Sequence, residues 1–259
     1  MPNDKYVINS VIRAINVLKC FSLDKSAYKF SEFQRALGFN NTTLTRILAS
    51  LEQTGVIRKD ERTKQYQLTY HLFRIGNVYG DRMDLHSIAM PFLSQLAASE
   101  KETVHLAVLN DFRIIYTGKI ESTQSIRIMS RIGSSNPCYS TGLGKIILAY
   151  LDEEERERFF HTIKLERFTP YTICDPEALR SHLKRIKKQG YAIDRGENEV
   201  EVRCVAAPIF DRNGKVIAGL SISGPAFRMT RDRINRKLIH AVKETARMIS
   251  RSMGHLENT

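Results

Sequence analysis

The residues that first suggest chemistry lie mid-chain, in the run CYSTGLGK at positions 138–145. A glycine followed by lysine is typical of nucleotide-binding loops, which require the pattern G-x-x-x-x-G-K-[ST]. Here Tyr139 stands in the place of the first glycine, and Ile146 in the place of the hydroxyl residue that binds magnesium. Because both ends of the pattern fail, the run does not predict a nucleotide site.

The same run does predict a helix N-terminus with little side-chain bulk, since Gly142 and Gly144 precede the apolar residues that follow Lys145. Free backbone N–H groups at such a start, aided by the helix dipole, can bind a small anion such as a carboxylate. The alternative is a capping turn whose glycines serve close packing only. Taken alone, the run leaves both interpretations open.

The nucleophiles of the chain give little support to an enzyme. Its four cysteines are far apart and form no Cys-x-x-Cys pair: Cys20, Cys138, Cys174 and Cys204. We therefore expect neither disulfides nor a metal site, and no cofactor. A hydrolase or transferase would use Cys204 or Ser140 with a histidine base. No motif places His105, His161 or His182 beside either nucleophile, so this alternative is the weaker one.

The charge of the chain predicts a polyanionic partner. With 40 Lys and Arg against 28 Asp and Glu, the formal net charge is +12, which favours nucleic acid over a membrane surface. The first 70 residues carry 11 of these cations and 6 of these anions, so net positive charge is densest there. No signal-peptide pattern opens the chain, and no apolar run approaches the ~20 residues of a membrane span, so we expect a cytoplasmic protein.

The N-terminal segment predicts three helices, the last two joined by a short turn. In the first helix, apolar residues recur at helical spacing, at Val11, Ile12, Ile15 and Leu18. Ser31 suits the N-cap of the second helix, with Gln34 at the capping-box position and Gly38 as the stop. The third helix has one apolar face, formed by Leu44, Ile47, Leu48 and Leu51. This is a helix-turn-helix pattern, whose later helix enters the DNA major groove.

Two strand-like runs, 56–59 and 65–68, flank the polar turn 60–64 and complete a winged helix-turn-helix domain over residues 1–70. Hydroxyl and basic side chains supply the expected DNA contacts: Thr42, Thr43, Thr45, Arg46, Arg13, Arg58, Arg62 and Lys64. Whether Arg46 forks onto guanine or clamps a phosphate stays open. A single exposed cation is often only a solvated charge, so the prediction depends on the whole set.

The rest of the chain predicts a separate α+β domain. Residues 71–87 suit a linker helix that bends at Gly76 or Gly80, and residues 88–259 form the second domain, which opens with a helix over 91–99. Apolar runs at 104–109, 113–117, 125–129, 204–210 and 216–223 predict strands. Helices are predicted over 175–190 and after Thr230. Hairpins early and late in the domain indicate an antiparallel sheet.

Seven runs of the sequence, in order, carry a wider likeness. They are SVIRAINVL (10–18), ETVHLAV (102–108), YSTGLGK (139–145), ERFTP with DPEAL (166–170 and 175–179), GYAID (190–194), RCVAAP (203–208) and SISGP (221–225). Through these runs the chain resembles the IclR family of bacterial transcriptional regulators over nearly its full length. The resemblance implies an N-terminal winged helix, a linker helix and a C-terminal effector domain similar to GAF and PAS sensors. It also implies dimers, often paired into tetramers, and a small organic acid as effector.

The resemblance also implies an effector site. Gly142 and Leu143 would present amides to the ligand, Ile128 would stand in its apolar wall, and the pocket would be lined by Asp194, Cys204, Ser221 and Ser223. The two serines lie two apart on a predicted strand and share a face, where their hydroxyls can donate to a carboxylate. One departure from the family pattern is Glu201, which stands where a glycine is usual. It is expected to add negative charge beside the pocket.

Together these patterns predict a homo-oligomeric DNA-binding transcription regulator whose operator affinity changes when a small organic acid binds the C-terminal domain. Two other classes compete with this prediction: the Cys or Ser hydrolase or transferase, and a ligand-binding oligomer that never meets DNA. The basic wing argues against the last class.

Overall fold

The computed structural model describes residues 7–22, 25–82 and 84–256. The chain divides into two units, residues 1–83 and 84–259. This division falls inside the segment 71–87 that the sequence suggested as a linker. The finer boundaries at residues 70 and 87 stay predictions.

The first unit contains the predicted helices and wing. Its elements are α1 (Asn9–Cys20), β1 (Ala27–Lys29), α2 (Phe30–Leu37), α3 (Asn41–Gln53), β2 (Ile57–Lys59), β3 (Gln65–Leu68) and α4 (Tyr70–Arg82). The strands form an antiparallel sheet in the order β1-β3-β2. The hairpin of β2 and β3 is the predicted wing. Strand β1 was not predicted, because three residues are too short to display an alternating pattern.

The start of α2 differs from the sequence prediction. Ser31 is not the N-cap, because the helix begins at Phe30 and Lys29 takes that position. The Lys29 N–H donates to Glu32 Oε2 over 2.7 Å, so the acid that closes the capping box is Glu32 rather than Gln34. The predicted stop is correct: Gly38 has a φ of +67°, a left-handed conformation that favours glycine at a helix end.

The core of the first unit is built on α3. Leu44, Ile47, Leu48 and Leu51 are buried, as their spacing predicted, and pack with Phe33 of α2. The apolar stripe of α1 behaves differently. Of its members, Val11 is 55% exposed, Ile12 46% and Ile15 47%, and Leu18 is half-buried. The residue of α1 that is fully buried is Val17, which was not part of the predicted stripe. An apolar stripe left in contact with water indicates a surface for a partner.

The second unit is the predicted α+β domain. Its elements are α5 (Asp84–Glu100), β4 (Thr103–Asn110), β5 (Arg113–Ile120), β6 (Ser135–Pro137), α6 (Gly142–Tyr150), α7 (Glu153–Thr162), α8 (Pro176–Gln189), β7 (Ala192–Asp194), β8 (Val202–Phe210), β9 (Val216–Pro225), α9 (Arg231–Arg233), a π-helical segment (Ile234–Leu238) and α10 (Ile239–Ser252). The six strands form one antiparallel sheet in the order β6-β5-β4-β9-β8-β7.

Two predictions about this unit are wrong. Helix α5 begins at Asp84 rather than Pro91, so the proline lies inside the helix. Residues 125–129 form no strand, and the third strand at that end is β6. The apparent alternation arises in an irregular loop, 121–134, whose carbonyls are held by cations. Arg228 donates to Ile126 O over 2.8 Å, and Lys119 donates to Ser130 O over 2.7 Å.

Helix α6 packs on β8 and β9 at a very short distance. A Cβ atom on Gly142 would lie 2.8 Å from Cys204 Sγ, and one on Gly219 would lie 3.0 Å from Leu143 Cδ2. The constraint is strongest at Gly144, where a Cβ would lie 2.1 Å from the carbonyl oxygen of Cys138. The glycines of the Gly-Leu-Gly run therefore let the helix start approach the backbone before it.

We expect Gly144→Ala to lower the free energy of unfolding by about 3 kcal/mol, because the new methyl group meets backbone atoms that cannot easily move aside. Urea unfolding of the full chain measures the change. Gly76→Ala in α4 is the matched control, since a Cβ there meets nothing within 4 Å. It should be neutral or slightly stabilising. Equal effects of the two substitutions would contradict the packing argument.

Candidate functional site

The first candidate site is the exposed face of α3. Its apolar residues lie in the core, so Thr42, Thr45 and Arg46 point to solvent, and Thr43 is half-buried. The side chain of Asn40 caps the helix by accepting from the Thr43 N–H over 2.8 Å. Within the described residues, Arg46 forms no ion pair. The N-terminal turn of α3 therefore offers hydroxyl groups and a guanidinium to an outside partner.

Arg13 of α1 lies close to this face. A surface groove between α1 and α3 is lined by Arg13 together with Thr42, Thr43 and Arg46. The Arg13 guanidinium also stands 5.8 Å from the centroid of the Phe39 ring, in the turn that precedes α3. The structure thus brings together the predicted contacts of the first and third helices.

The predicted contacts of the wing are exposed but not equally free. Arg58 Nη2 donates to Gln67 Oε1 over 3.3 Å, across the β2–β3 pair. Lys64 forms an ion pair with Glu61 over 2.7 Å, on a side chain that is largely in solvent. Such an exposed ion pair contributes little to stability, so Lys64 can readily exchange the Glu61 carboxylate for a DNA phosphate. Arg62 is exposed at the tip of the turn.

The second candidate site is a cavity of about 190 Å³ in the second unit. It lies among the sheet, the start of α6 and the loop 121–134. Its lining comprises His105, Tyr116, Ile128, Met129, Ser130, Ser134, Ser135, Asn136, Thr141, Leu143, Asp194, Asn198, Glu199, Val202, Cys204 and Ser223. Five of the seven effector residues named from the resemblance are in this set. Gly142 and Ser221 are not, although each has a lining residue as a neighbour: a Cβ on Gly142 would lie 2.8 Å from Cys204 Sγ, and Ser221 is two residues from Ser223 on β9.

The start of α6 brings backbone donors close to this cavity, because Leu143 is a lining residue and Gly142 precedes it. Thr141 satisfies the next two amides itself: its Oγ1 accepts from the Gly144 N–H over 3.0 Å, and its carbonyl accepts from the Lys145 N–H over 2.9 Å. Among the described residues, the N–H groups of Gly142 and Leu143 have no acceptor. Unpaired amides at a helix N-terminus form an anion site. The sequence expectation of an anion-binding helix start is thus compatible with the geometry, alongside the packing role of the glycines.

Lys145 does not face this cavity. Its ammonium is fully buried, donates to Ile193 O over 3.0 Å and forms an ion pair with Glu197. The lysine therefore ties α6 to the end of β7 and to the loop that follows it. Replacing either partner would leave an unpaired buried charge, which is strongly destabilising.

Asp194 lies where this loop begins. Its Oδ1 accepts from the N–H groups of Gly196 over 3.0 Å and Glu197 over 2.8 Å. Burial raises the pKa of this carboxyl from 3.8 to about 7, and the Lys145 charge opposes the rise only in part. Near neutral pH the group is therefore protonated in a large fraction of molecules, which reduces its repulsion of an anion in the cavity.

Three side chains on the sheet side of the cavity were missed from the sequence: His105, Tyr116 and Asn136. His105 Nε2 lies 2.6 Å from Ser130 Oγ, and its Nδ1 lies 3.4 Å from Ser223 Oγ. Burial lowers the pKa of His105 to about 3, so the ring is neutral. Asn136 Nδ2 donates to the Tyr116 hydroxyl over 3.2 Å. A polar histidine within the apolar strand run Val-His-Leu-Ala-Val was the signal available in the sequence.

The nucleophile expected of an enzyme is present but inert. The structure places Cys204 and His105 on the same cavity, which the sequence did not predict. However, burial raises the pKa of the Cys204 thiol to about 12, assisted by Asp194. The thiol stays protonated, and His105 is too weak a base to accept its proton. Ser140 is engaged elsewhere, since its hydroxyl donates to Asn198 Oδ1 over 3.1 Å.

Two further expectations change at this site. Ser221 is fully buried, and its hydroxyl has no partner of hydrogen-bond geometry within the described residues, although the Cys204 thiol is a polar neighbour. The charge expected from Glu201 is not beside the cavity. Glu201 is exposed, and its carbonyl accepts from the Ala226 N–H over 2.7 Å. The acids that line the cavity are Asp194 and Glu199, because the loop after β7 turns Glu201 outward.

The geometry defines a class of protein. One unit is a winged helix whose α3 turns hydroxyl and basic groups outward, and the other contains a small cavity lined by polar and apolar side chains. Among the described helices, none is both long and apolar enough to cross a membrane. These features are those of a DNA-binding regulator with a separate ligand domain.

Comparison with known proteins establishes the family. Residues 78–251 match the family described as bacterial transcriptional regulator IclR C-terminal, and residues 10–61 match the IclR helix-turn-helix domain. The chain belongs to the IclR family and is a DNA-binding transcriptional regulator.

Relatives match over nearly the whole chain. The HTH-type transcriptional regulator KdgR of Escherichia coli is 34% identical, over 96% of this chain and 94% of its own. The structure of Thermotoga maritima IclR superposes with a TM-score of 0.73 at 34% identity, over 95% of this chain and 99% of that one. An IclR homologue from Microbacterium hydrocarbonoxydans, complexed with 4-hydroxybenzoate, has a TM-score of 0.82 at 23% identity, over 94% and 98% of the two chains, and shows the same fold.

The raised pKa of Asp194 predicts a pH-dependent stability. A carboxyl whose pKa is higher in the folded chain contributes stability that is complete below pH 3.8 and is lost as the pH rises to about 7. The free energy of unfolding of the wild type should therefore fall between pH 5 and 7 relative to Asp194→Asn, on the order of 1–2 kcal/mol. Urea unfolding of both chains at pH 5, 6, 7 and 8 measures this. A difference that stays constant across these pH values would contradict the assignment.

Proposed function

We propose that this regulator binds operator DNA as a homo-oligomer, and that a small monocarboxylic acid in the cavity of the second unit changes its affinity for that DNA. The observation that carries the proposal is the pair of amides without an acceptor among the described residues, Gly142 and Leu143, close to a partly open cavity with polar and apolar lining. Such donors can hold a carboxylate without a cationic side chain.

Sequence selection on DNA would come from the N-terminal turn of α3. Thr42, Thr45 and Arg46 can reach base edges in the major groove. The Thr43 N–H is already bonded to the Asn40 side chain, so Thr43 would contact DNA through its half-buried side chain. Arg13 and the wing cations Arg58, Arg62 and Lys64 would contact phosphates on either side. These contacts position the helix, and the α3 side chains discriminate between sequences.

The exposed apolar stripe of α1 supports a dimer. Ile8 is 64% exposed, and Val11, Ile12 and Ile15 continue the stripe along one side of the helix. Burying such a stripe against a second copy removes apolar surface from water. Two copies would present two α3 helices to a two-fold related operator. A further pairing of dimers into tetramers through the second unit is part of the proposal.

The effector would be held by its carboxylate at the start of α6. Asp194 and the hydroxyl of Ser223 lie on the same cavity, and Ile128 and Leu143 supply apolar contact. The relative from Microbacterium hydrocarbonoxydans, complexed with 4-hydroxybenzoate, is compatible with an acid in this family. Binding changes DNA affinity only if the acid prefers one arrangement of the oligomer over another. As a regulator of transcription that is not an enzyme, the protein would act in the bacterial cytoplasm.

Arg46→Ala should weaken binding to an operator fragment by about 1–3 kcal/mol, because α3 loses either a guanine contact or a phosphate contact. Fluorescence anisotropy at several salt concentrations separates the two. Loss of a phosphate contact lowers the salt slope by about one, whereas loss of a base contact relaxes sequence preference.

The matched control is Arg212→Ala, which removes the same charge from an exposed turn of the second unit. It should leave the affinity for the operator within about twofold of the wild type. If Arg46→Ala binds the operator as tightly as Arg212→Ala does, with the same sequence preference, α3 is not the recognition helix.

The two serines of β9 should respond differently to substitution. Ser223→Ala removes a hydroxyl from the cavity wall and should weaken the effector response about tenfold or more. Ser221→Ala removes a buried hydroxyl that is not part of the cavity lining and should leave the response nearly unchanged. A thermal-shift screen of small carboxylic acids identifies the effector. Binding of each variant to the operator is then measured as the concentration of that acid is raised. Equal losses in both variants would contradict the placement of the acid.

A further inference from the structure

The loop 121–134 is the outer wall of the cavity. It contributes the lining residues Ile128, Met129, Ser130 and Ser134. Met129 is 83% exposed although it borders the cavity, so this wall separates the cavity from solvent. We propose that Arg228 is a positioning residue that links this wall to the end of helix α5, and that a bound acid changes DNA affinity through that link. The inference rests on the proposed function, because it takes the acid to occupy the cavity.

Two cations hold the lining part of this loop near its two ends. Lys119 donates to the Ser130 carbonyl over 2.7 Å, and Arg228 donates to the Ile126 carbonyl over 2.8 Å. Lys119 belongs to β5 of the sheet, whereas Arg228 follows β9 and contacts a different part of the unit. A ligand that displaces the segment between Ile126 and Ser130 therefore acts on both cations.

Arg228 binds a buried carboxylate with the same guanidinium. Its Nε and Nη2 donate to the two oxygens of Glu102, each over 2.8 Å, in a forked pair. Glu102 is 1% exposed, and a Cβ on Gly224 would lie 2.7 Å from its Oε2, so the carboxylate lies close against β9. A forked pair fixes orientation as well as distance. Arg228 therefore holds the Ile126 carbonyl at a defined place relative to Glu102.

Glu102 is also joined to the C-terminal end of α5. Arg233 Nη1 donates to Glu102 Oε1 over 2.8 Å, and Arg233 Nη2 donates over 2.6 Å to the carbonyl of Glu100, the last residue of α5. Arg233 Nη1 also donates to the Arg228 carbonyl over 3.1 Å. The connection from Ile126 to Glu100 thus consists of charge-assisted hydrogen bonds, which are stronger than those between neutral groups.

Helix α5 is the element through which the chain leaves the second unit. Helix α4 ends at Arg82 and α5 begins at Asp84, so a single residue separates them. A rigid secondary element can carry a displacement from one of its ends to the other. A shift imposed at Glu100 can therefore reach the residue that leads into the DNA-binding unit.

The other tie of the loop does not lead to α5. Lys119 pairs with Glu121 of the same loop over 2.7 Å. In the part of the chain that the structure describes, Glu121 pairs in turn with Arg127, again within the loop. These ion pairs stay within β5 and the loop, so Lys119 supplies a matched control for Arg228.

The first test measures acid binding and DNA binding separately on the full-length protein. A thermal-shift panel of monocarboxylates, from acetate and pyruvate to gluconate and 4-hydroxybenzoate, supplies the acid, and a duplex selected by the wild type from a random pool supplies the DNA. In the wild type, saturating acid should change the Kd for the duplex at least about fivefold.

Arg228→Gln should separate the two kinds of binding. The variant is expected to fold, because Glu102 keeps its pair with Arg233. Its Kd for the acid, measured by isothermal titration calorimetry, should stay within about threefold of the wild type, since Arg228 does not line the cavity. The change in DNA affinity at saturating acid should fall below about twofold, because the link to α5 is broken.

Two controls isolate the link. Lys119→Gln loosens the same loop without altering the contacts of Arg228. Arg236→Gln removes an arginine whose ion pair with Asp232 lies within one turn of the same exposed segment. At saturating acid both should respond within about twofold of the wild type. The inference is overturned if Arg228→Gln keeps the wild-type response, if it loses acid affinity about tenfold, or if Lys119→Gln loses the response as fully.

Hydrogen exchange of the backbone amides tests the connection directly. In the wild type, acid should change the exchange rates both in the loop 121–134 and in the last turn of α5, residues 97–100. In Arg228→Gln the change in the loop should remain and the change in α5 should disappear. An α5 that responds equally in both chains, or in neither, overturns the link.

A second variant covers a failure to fold. If thermal denaturation shows that Arg228→Gln is unfolded, Arg228→Lys keeps a charge beside Glu102, but one ammonium cannot bind both carboxylate oxygens and the Ile126 carbonyl in the same way. It should show the same separation of acid binding from DNA response, and a wild-type response in it overturns the inference.

The two proposals fail differently. If an acid changes DNA affinity equally in the wild type and in Arg228→Gln, the link is wrong and the acid site stands. If no acid of the panel binds the wild type, the proposed function is wrong and the link with it.

Discussion

The close approach of helix α6 to the sheet is the constraint on which the second unit depends. Gly144 allows the helix start to touch the Cys138 carbonyl, and Gly142 allows it to touch Cys204. At that distance Lys145 reaches Ile193 and Glu197, which draws in the loop after β7. The same approach brings the free amides and Asp194 to one cavity. A bulkier helix start would separate the donors from the groups that face them.

The two units differ in the charge that they present to a ligand. Among the described residues of the winged helix, most cations are exposed and lie outside ion pairs, as binding to a polyanion requires. No lysine or arginine of the described chain lines the cavity of the second unit, which instead presents hydroxyls, an amide side chain and a neutral histidine. If the proposed acid site is correct, one protein recognises anions in two ways. On DNA the attraction would act at long range, whereas in the cavity it would depend on directed hydrogen bonds over short distances.

Much of this organisation could be predicted from local patterns. The helix periodicity around Leu44 and Leu48, the stop at Gly38 and the hairpin of β4 and β5 are all properties of neighbouring residues. The errors arose where contacts beyond the local pattern determine the structure. The sequence predicted that Ser31 would cap α2, but Glu32 accepts from the Lys29 N–H and closes the capping box two residue positions earlier. The alternation at 125–129 belongs to a loop whose carbonyls accept from Arg228 and Lys119. His105, Tyr116 and Asn136 meet at one cavity although they come from three separate strands, β4, β5 and β6, which no spacing in the sequence reveals.

The buried pair of Lys145 and Glu197 has a consequence for how such chains can change over time. The two residues are 52 positions apart, yet a substitution of one alone is strongly disfavoured, because the single mutant would carry an uncompensated charge in the interior. They can be exchanged only together or for a fully apolar contact. The Gly-Lys dipeptide that resembles a nucleotide loop is therefore preserved by a partner far along the chain, and its persistence in a lineage would record architecture rather than catalysis.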